Sequence, residues 1–176
     1  MPTKYYFDNA ATTPVREEVL QEILPYFREY YGNASSIYSI AKESKKALEA
    51  ARAKVAAAIG ATPDEIYFTA GGSESDNMAL RGVVNASKKE KKHIITTKIE
   101  HHAILHTAEF LETKGVDVTY LNVDEFGKIS LEELENAICP ETVLISVMFA
   151  NNEIGTIQPI AEIAEIAKKH GVLFHT

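Results

Sequence analysis

The spacing of apolar side chains changes along the chain from a helical period to short continuous runs, and this change predicts two kinds of structure. Apolar residues between positions 15 and 27 share one helical face, and Pro25 is expected to kink or divide that helix. A second, longer helix is predicted from about residue 37 to residue 59, where Gly60 provides a cap. Before both helices, residues 4–7 form a short extended run within an N-terminal arm at 1–14.

Beyond residue 60 the pattern alternates between short apolar runs and amphipathic stretches. The runs predict strands at 65–69, 93–97, 116–121, 143–149 and 172–175. The stretches predict helices at 74–88, 103–114, 131–138 and 160–169. Strands that alternate with helices form parallel sheets, so the expected fold class is α/β, with a mainly parallel sheet and helices on both faces. In such sheets ligands bind at the carboxyl ends of strands, which is where three polar stretches of this chain are expected: 70–73, 98–102 and 150–155.

Composition and charge narrow the class of protein without identifying one. The 176 residues are 45% hydrophobic and 24% charged, which fits a globular protein with a buried core. The net charge of −7 argues against binding to nucleic acid or to an anionic membrane, and no apolar run reaches membrane-spanning length. The single cysteine, Cys139, cannot form an internal disulfide, so a reducing cytoplasm is the expected location.

The segment Thr69–Asn77 carries the first candidate binding site. Its glycine pair, Gly71 and Gly72, lets the backbone turn sharply and approach a ligand, and Ser73 follows at the start of a predicted helix. The free N–H groups and the positive dipole end of a helix favour an anion such as a phosphate. The alternative is structural, because Ser73 and Asp76 also match an S-x-x-D capping pair.

Two further candidates follow predicted strands. His101 comes after the strand at 93–97, where an imidazole can stack on an aromatic ring or transfer a proton, with a plain surface histidine as the alternative. Asn151 and Asn152 follow the most apolar strand. These amides either serve a ligand or tie down the turn that ends at Gly155.

The remaining candidates are weaker. His102 and His106 are four residues apart on a predicted helix, but two histidines without a third ligand do not make a site, so no metal is expected. Residues 122–133 resemble a calcium-binding loop but lack a side-chain oxygen at the fifth position. They are therefore interpreted as a turn followed by a helix that Ser130 caps. A packing role is favoured over a nucleophilic one for Cys139, because the sequence places no acid–base partner beside it.

Several of these motifs together resemble the N-terminal part of the cysteine desulfurases, which are pyridoxal-phosphate (PLP) enzymes of aminotransferase class V with the aspartate-aminotransferase type of fold (fold type I). The matching motifs follow in order along nearly the whole chain: YFDNAATTP at 6–14, YGNASS at 31–36, FTAGGSESDN at 68–77, HIITT at 93–97 before EH at 100–101, and NNEIGTIQP at 151–159. The resemblance implies that residues 15–176 form the N-terminal part of the large PLP-binding domain.

The resemblance also implies roles for five residues. Gly72 and Ser73 would hold the phosphate of PLP, the first through its backbone and the second through its hydroxyl. His101 would stack on the pyridine ring and help to shuttle protons, which makes it the candidate catalytic residue. Asn152 would bond the hydroxyl oxygen of the ring, and Asn33 corresponds to a position near the substrate.

Other parts of the family pattern are changed or missing. Ala34 replaces the usual proline and Tyr38 replaces the usual histidine. Both changes affect the shape of the rim of the substrate site. In the family, a His-x-Asp motif supplies the aspartate that pairs with the pyridine nitrogen, and here that aspartate would come after His175 and Thr176. The Schiff-base lysine and the persulfide-forming cysteine lie further on, and Cys139 does not match that cysteine. The chain is therefore expected to be a fragment that is inactive alone, with the predicted strand at 65–69 lacking its neighbour.

For the parent protein the resemblance implies a transferase that removes sulfur from L-cysteine and leaves L-alanine and a persulfide. The persulfide would supply iron–sulfur cluster or thio-cofactor assembly through a sulfur-acceptor protein, and the enzyme is expected to be a homodimer. Two alternatives remain open: another class-V PLP enzyme, such as a selenocysteine lyase or an aminotransferase, or an inert structural fragment. Neither a nucleic acid nor a membrane is expected as a partner.

Overall fold

The chain divides into two compact units, one ending at Phe68 and the other running from Thr69 to Thr176. The computed structural model describes residues 5–176, so residue 4 of the predicted extended run and residues 1–4 of the predicted arm lie outside the described residues. In the first unit a turn at residues 8–11 is followed by helices α1 (Glu17–Arg28) and α2 (Ser39–Ile59). No helix within residues 5–176 is both long and apolar enough to cross a lipid bilayer.

Helix α1 continues through Pro25, so the expectation that this proline divides the helix is wrong. Proline removes one backbone N–H from a helix, and in α1 the last turn still closes beyond it, on the proline carbonyl. That carbonyl accepts hydrogen bonds from the N–H groups of Glu29 and Tyr30, at 2.8 and 3.0 Å. Helix α2 ends as predicted, because Gly60 adopts the left-handed conformation with φ of 71°.

The strand predicted at 65–69 is absent from the structure, and this is a second correction. Pro63–Glu65 form a short 3-10 turn, and the segment after it pairs with no strand in the described part of the chain. The Ile66 carbonyl accepts a hydrogen bond from the guanidinium of Arg52 instead. A strand exists only where a neighbour satisfies its backbone groups, and here a side chain takes that part.

The second unit contains a four-stranded parallel sheet with helices between the strands, as predicted. In chain order its elements are α3 (Gly72–Ala86), β1 (His93–Thr97), α4 (His102–Glu112), β2 (Asp117–Leu121), α5 (Leu131–Ala137), β3 (Thr142–Ser146), α6 (Ile160–His170) and β4 (Leu173–His175). The strand order is β2-β1-β3-β4, and each neighbouring pair is parallel. The predicted strand at 143–149 ends earlier than expected, at Ser146.

Two cores lie on opposite faces of this sheet. Ile94 packs with side chains of α3 and α4, while its neighbour Ile95 packs with side chains of α5 and α6. Strands β1 and β3 are buried at every position, as expected for central strands covered on both faces. The carboxyl ends of these two central strands therefore emerge side by side from a rigid support.

Candidate functional site

The start of helix α3 is an open anion-binding geometry built on the glycine pair. Helix α3 begins at Gly72, and the carbonyl of Gly71 accepts from the N–H groups of Glu74 and Ser75, both at 3.1 Å. Within residues 5–176, the N–H groups of Gly72 and Ser73 and the Ser73 hydroxyl donate to no protein acceptor. A Cβ atom added to either glycine would meet no atom within 4 Å, so both face open space.

The capping interpretation of Ser73 is wrong. Gly71 occupies the capping position of α3, and Ser73 lies inside the first turn with no capping hydrogen bond. A carboxylate takes over part of that function, since Glu74 accepts from the N–H of Ala70 at 2.6 Å. The Ser73 hydroxyl is consequently left for another partner.

The loops after β1 and β3 are joined by two buried side chains. The carboxylate of Glu100 accepts from the backbone N–H of Met148 at 2.8 Å and from the hydroxyl of Thr97 at 3.1 Å. The side-chain amide of Asn151 donates to the Ile99 carbonyl at 2.9 Å. Burial raises the pKa of Glu100, and its hydrogen bonds to Met148 and Thr97 oppose that shift.

His101 and Asn152 are exposed and directly follow these buried residues. His101 caps helix α4, because its Nδ1 accepts from the N–H of Ala103 at 3.1 Å. That bond leaves Nε2 as the nitrogen that exchanges protons or contacts a ligand. Asn152 lies in a turn that Asn151 organises, because the side-chain oxygen of Asn151 accepts from the N–H groups of Glu153 and Ile154, at 2.8 and 3.0 Å.

A cavity of about 180 Å³ lies at the carboxyl ends of the strands. Its lining combines titratable side chains with the end of β3: Asp76, Glu100, His101, Ile104, Ser146, Val147, Met148, Phe149, His175 and Thr176. One face is polar, because Nδ1 of His175 lies 2.9 Å from Oγ of Ser146 and Nε2 lies 3.9 Å from a carboxylate oxygen of Asp76. Burial lowers the pKa of His175, and the Asp76 carboxylate partly offsets this.

Of the predicted site residues, His101 lines this cavity, whereas Gly72, Ser73 and Asn152 do not. The glycine–serine turn is nevertheless linked to it through Asp76, which lies about one turn further along α3. Asn33 belongs to the first unit, where its side chain accepts from the N–H of Ser35 at 3.0 Å. The ligand roles of these residues stay predictions.

The lining residues that sequence reasoning missed include the polar side chains Asp76, Glu100, Ser146 and His175. Their signals were present but ambiguous. Asp76 was interpreted as half of a capping pair, and Ser146 is a polar residue within an apolar strand. The sheet topology, which brings the ends of β1, β3 and β4 together, is what assembles them.

The weaker candidates lie elsewhere in the second unit. Cys139 Sγ is 3.5 Å from Nδ1 of His93, and His93 and Thr142 begin their strands, so this contact is at the amino ends of the sheet. The rings of His102 and His106 stack with centroids 5.1 Å apart. Within residues 5–176 no three His, Cys, Asp or Glu side chains are grouped as metal ligands. The calcium-like segment is a turn, and Ser130 caps the helix after it as predicted.

The donors of this unit fit the parts of PLP. A phosphate needs N–H and hydroxyl donors with room for close approach, which the start of α3 provides. A pyridine ring needs a flat partner and a partly apolar recess, which His101 and the cavity provide. The polar face at Asp76 and His175 supplies hydrogen-bonding groups on the same recess.

Comparisons with known proteins agree with one another. The family model described as aminotransferase class-V matches residues 5–176. The chain is 60% identical to a cysteine desulfurase IscS of Methanosarcina thermophila, over 97% of this chain and 42% of that protein. It is 57% identical to a cysteine desulfurase IscS of Clostridium botulinum (strain Kyoto / Type A2), over 100% and 44%.

Solved structures show the same likeness. A NifS-like protein superposes with a TM-score of 0.94 at 44% identity, covering 98% of this chain and 48% of its own. A structure of SspA in complex with cysteine superposes with a TM-score of 0.95 at 43% identity, covering 98% and 50%. The chain spans less than half the length of the two curated relatives above and corresponds to their N-terminal part.

Proposed function

The chain belongs to the class-V aminotransferase family, and from this premise we propose that the protein containing these residues is a PLP-dependent cysteine desulfurase. Its reaction would convert L-cysteine into L-alanine and transfer the sulfur atom to a cysteine thiol as a persulfide. Two curated relatives carry the name cysteine desulfurase IscS, at 60% and 57% identity. A structural relative solved in complex with cysteine supports the substrate.

One observation of this chain carries the proposal: the cavity at the strand ends is lined by both His101 and helix α3, whose first turn is open to an anion. A phosphate bound there would accept from the free N–H groups of Gly72 and Ser73 and from the Ser73 hydroxyl. Both glycines leave room for that approach, because an added Cβ would meet nothing within 4 Å.

When bound, PLP would supply an electron sink that stabilises negative charge at the substrate carbon. The residues described here would hold and orient it. The imidazole of His101 would pack against the ring. Its Nε2 carries the proton of the neutral imidazole, because Nδ1 accepts from the N–H of Ala103, and would be the nitrogen that exchanges this proton with the ligand. The exposed amide of Asn152 would bond the hydroxyl oxygen of the ring.

Substrate and partner assignments follow from the same proposal. Asn33 would lie near the bound L-cysteine. The persulfide would pass to a sulfur-acceptor protein for iron–sulfur cluster or thio-cofactor assembly. A homodimer is the proposed assembly.

The protein containing these residues should be purified, saturated with PLP and supplied with L-cysteine. We expect stoichiometric production of L-alanine and of sulfide in the presence of a thiol reductant, and weaker production in the Ser73→Ala variant. Ser87→Ala is the matched control, since Ser87 lies at the opposite end of α3 and its hydroxyl accepts from the N–H of Lys89, at 3.3 Å. Conversion of L-selenocysteine alone, or amino transfer to a keto acid without sulfide release, would contradict the desulfurase assignment.

A further inference from the structure

The buried residues that precede His101 and Asn152 link the same two loops in opposite directions. Glu100 extends from the loop after β1 and accepts from the N–H of Met148, beyond the end of β3, at 2.8 Å. Asn151 extends back and donates its amide to the carbonyl of the residue before Glu100, at 2.9 Å. Glu100 and Asn151 are each only 8% exposed. The two loops are therefore held together by a reciprocal pair of buried hydrogen bonds.

Each linking side chain is also anchored within its own loop. Glu100 accepts from the hydroxyl of Thr97, the last residue of β1, at 3.1 Å. The carbonyl oxygen of the Asn151 side chain accepts from the N–H groups of Glu153 and Ile154, at 2.8 and 3.0 Å. These bonds engage one carboxylate oxygen of Glu100 and both ends of the Asn151 side-chain amide, so both side chains hold their loops in place.

The order along the chain repeats in both loops: a buried linking residue comes first and an exposed polar residue follows. Fixing the position of Glu100 fixes the backbone of His101, and fixing Asn151 does the same for Asn152. Loops at functional sites are mobile unless such contacts restrain them, and each restraint removes an ordering cost from ligand binding.

We propose that Glu100 and Asn151 are positioning residues that set the separation of His101 and Asn152, so that the two exposed side chains are held ready for one ring-shaped ligand. The proposal rests on the proposed function, since it takes that ligand to be the pyridine ring of PLP. It predicts that breaking either link weakens binding of the ring while leaving binding of the phosphate at Gly72 and Ser73 intact.

Four substitutions separate this role from general support of the fold. Glu100→Ala removes the link to Met148, whereas Glu100→Gln keeps an oxygen acceptor for the same N–H. Asn151→Asp keeps the oxygen that organises its own turn and replaces the donor that crosses to the other loop with a charged oxygen. Gln158→Ala is the matched control, because Gln158 is 2% exposed and bridges a different segment, accepting from the N–H of Ile129 at 3.2 Å.

The experiment measures the affinities for PLP and for inorganic phosphate, and the free energy of unfolding in urea, for all variants of the protein containing these residues. We expect Glu100→Ala and Asn151→Asp to lose on the order of tenfold in PLP affinity, about the cost of ordering one or two freed side chains. Their affinity for phosphate should stay within about twofold, since the α3 donors are unchanged. Glu100→Gln should bind PLP like the wild type, and Gln158→Ala should lose stability without losing PLP affinity.

Equal PLP affinities in Glu100→Ala, Asn151→Asp and Gln158→Ala would overturn the proposal, as would parallel losses of PLP and phosphate affinity. A wild type that binds no PLP would refute the proposed function. In that case amide hydrogen exchange tests separately whether Glu100 and Asn151 hold the two loops together. Breaking either link should speed exchange in both loops, 98–101 and 148–152, of the unliganded protein. Faster exchange in only the mutated loop would show that the loops do not hold each other.

Discussion

Nδ1 of His175 lies 2.9 Å from Oγ of Ser146, across the neighbouring strands β4 and β3 and on the wall of the cavity at the strand ends. Because the carboxylate of Asp76 faces the other ring nitrogen at 3.9 Å, the proton of the neutral imidazole belongs on Nε2. Nδ1 then accepts from the Ser146 hydroxyl. The three side chains thus connect α3, β3 and β4 around the candidate cofactor site.

The neutral state of His175 predicts that the protein loses stability in acid. Burial lowers the pKa of His175 in the folded state, and burial lowers the pKa of His93 in the same way. The contribution of these two histidines to the stability of the fold is therefore complete above their unfolded pKa of about 6.5, and it is lost as the pH falls through their folded pKa values. We expect the free energy of unfolding in urea to fall between pH 7.5 and pH 5.5. His175→Gln should reduce that dependence, and an unchanged slope would contradict the assignment, with the exposed His106→Gln as the control.

Glu100 has the opposite dependence on pH. Burial raises its pKa, so its contribution to stability is complete below the unfolded pKa of about 4.3 and is lost as the pH rises through the folded value. Glu100→Gln keeps the bond to Met148 and carries no charge to bury. We expect this variant to gain stability relative to wild type at pH 7.5 and to lose the advantage at pH 4.5, measured by urea unfolding. A difference that does not change with pH would show that the carboxylate is not destabilised by burial.

The elements of the second unit could be predicted because their signals are local. The strand predicted at 65–69 is absent because a strand also needs a partner, which the local sequence does not show. Short apolar runs marked β1 closely and the start of β3 to within one residue. Gly60 ended α2 and Ser130 began α5, as their residue types indicate. The apolar character of residues 65–69 predicted a strand because it carries no information about a partner. Only the family resemblance indicated that the neighbour is missing, and within residues 5–176 the segment pairs with no strand. For the same reason, the sequence could not predict that His175 lies beside Ser146, because the parallel pairing of β3 with β4 makes that contact.

His101 has two separable roles that the choice of substitution distinguishes. Its Nδ1 caps α4 by accepting from the N–H of Ala103 at 3.1 Å, and asparagine is an equally good cap. We expect His101→Asn to keep the thermal midpoint and to weaken PLP binding, because the ring and its proton-exchanging Nε2 are lost. His101→Ala should lose both, with a stability cost of about 1 kcal/mol. Unchanged PLP affinity in His101→Asn, measured by fluorescence titration, would remove His101 from the site.

Replacing glycine by alanine is expected to have opposite effects on stability at two positions of this chain. A Cβ at Gly32 would contact the carbonyl oxygen of Ile40 and lie 2.7 Å from its carbonyl carbon, both backbone atoms that cannot turn aside. Gly32→Ala should destabilise by about 1–3 kcal/mol and disturb the neighbouring loop at Asn33. Gly82→Ala, inside α3 with no atom within 4 Å, should stabilise by about 0.5–1 kcal/mol. Urea unfolding of both variants tests this, and effects of equal sign would contradict the packing at Gly32.

The most direct test of the central claim is a titration of the protein containing these residues with PLP and with pyridoxal, which lacks the phosphate, in wild type and in Gly72→Ala. The open space at Gly72 predicts that the alanine variant folds normally, while its added methyl group enters the approach of a phosphate to the free N–H groups of α3. We expect the wild type to bind PLP far more tightly than pyridoxal, and Gly72→Ala to lose most of that preference. Equal affinities of the wild type for the two compounds, or a preference that Gly72→Ala retains in full, would contradict a phosphate site at the start of α3.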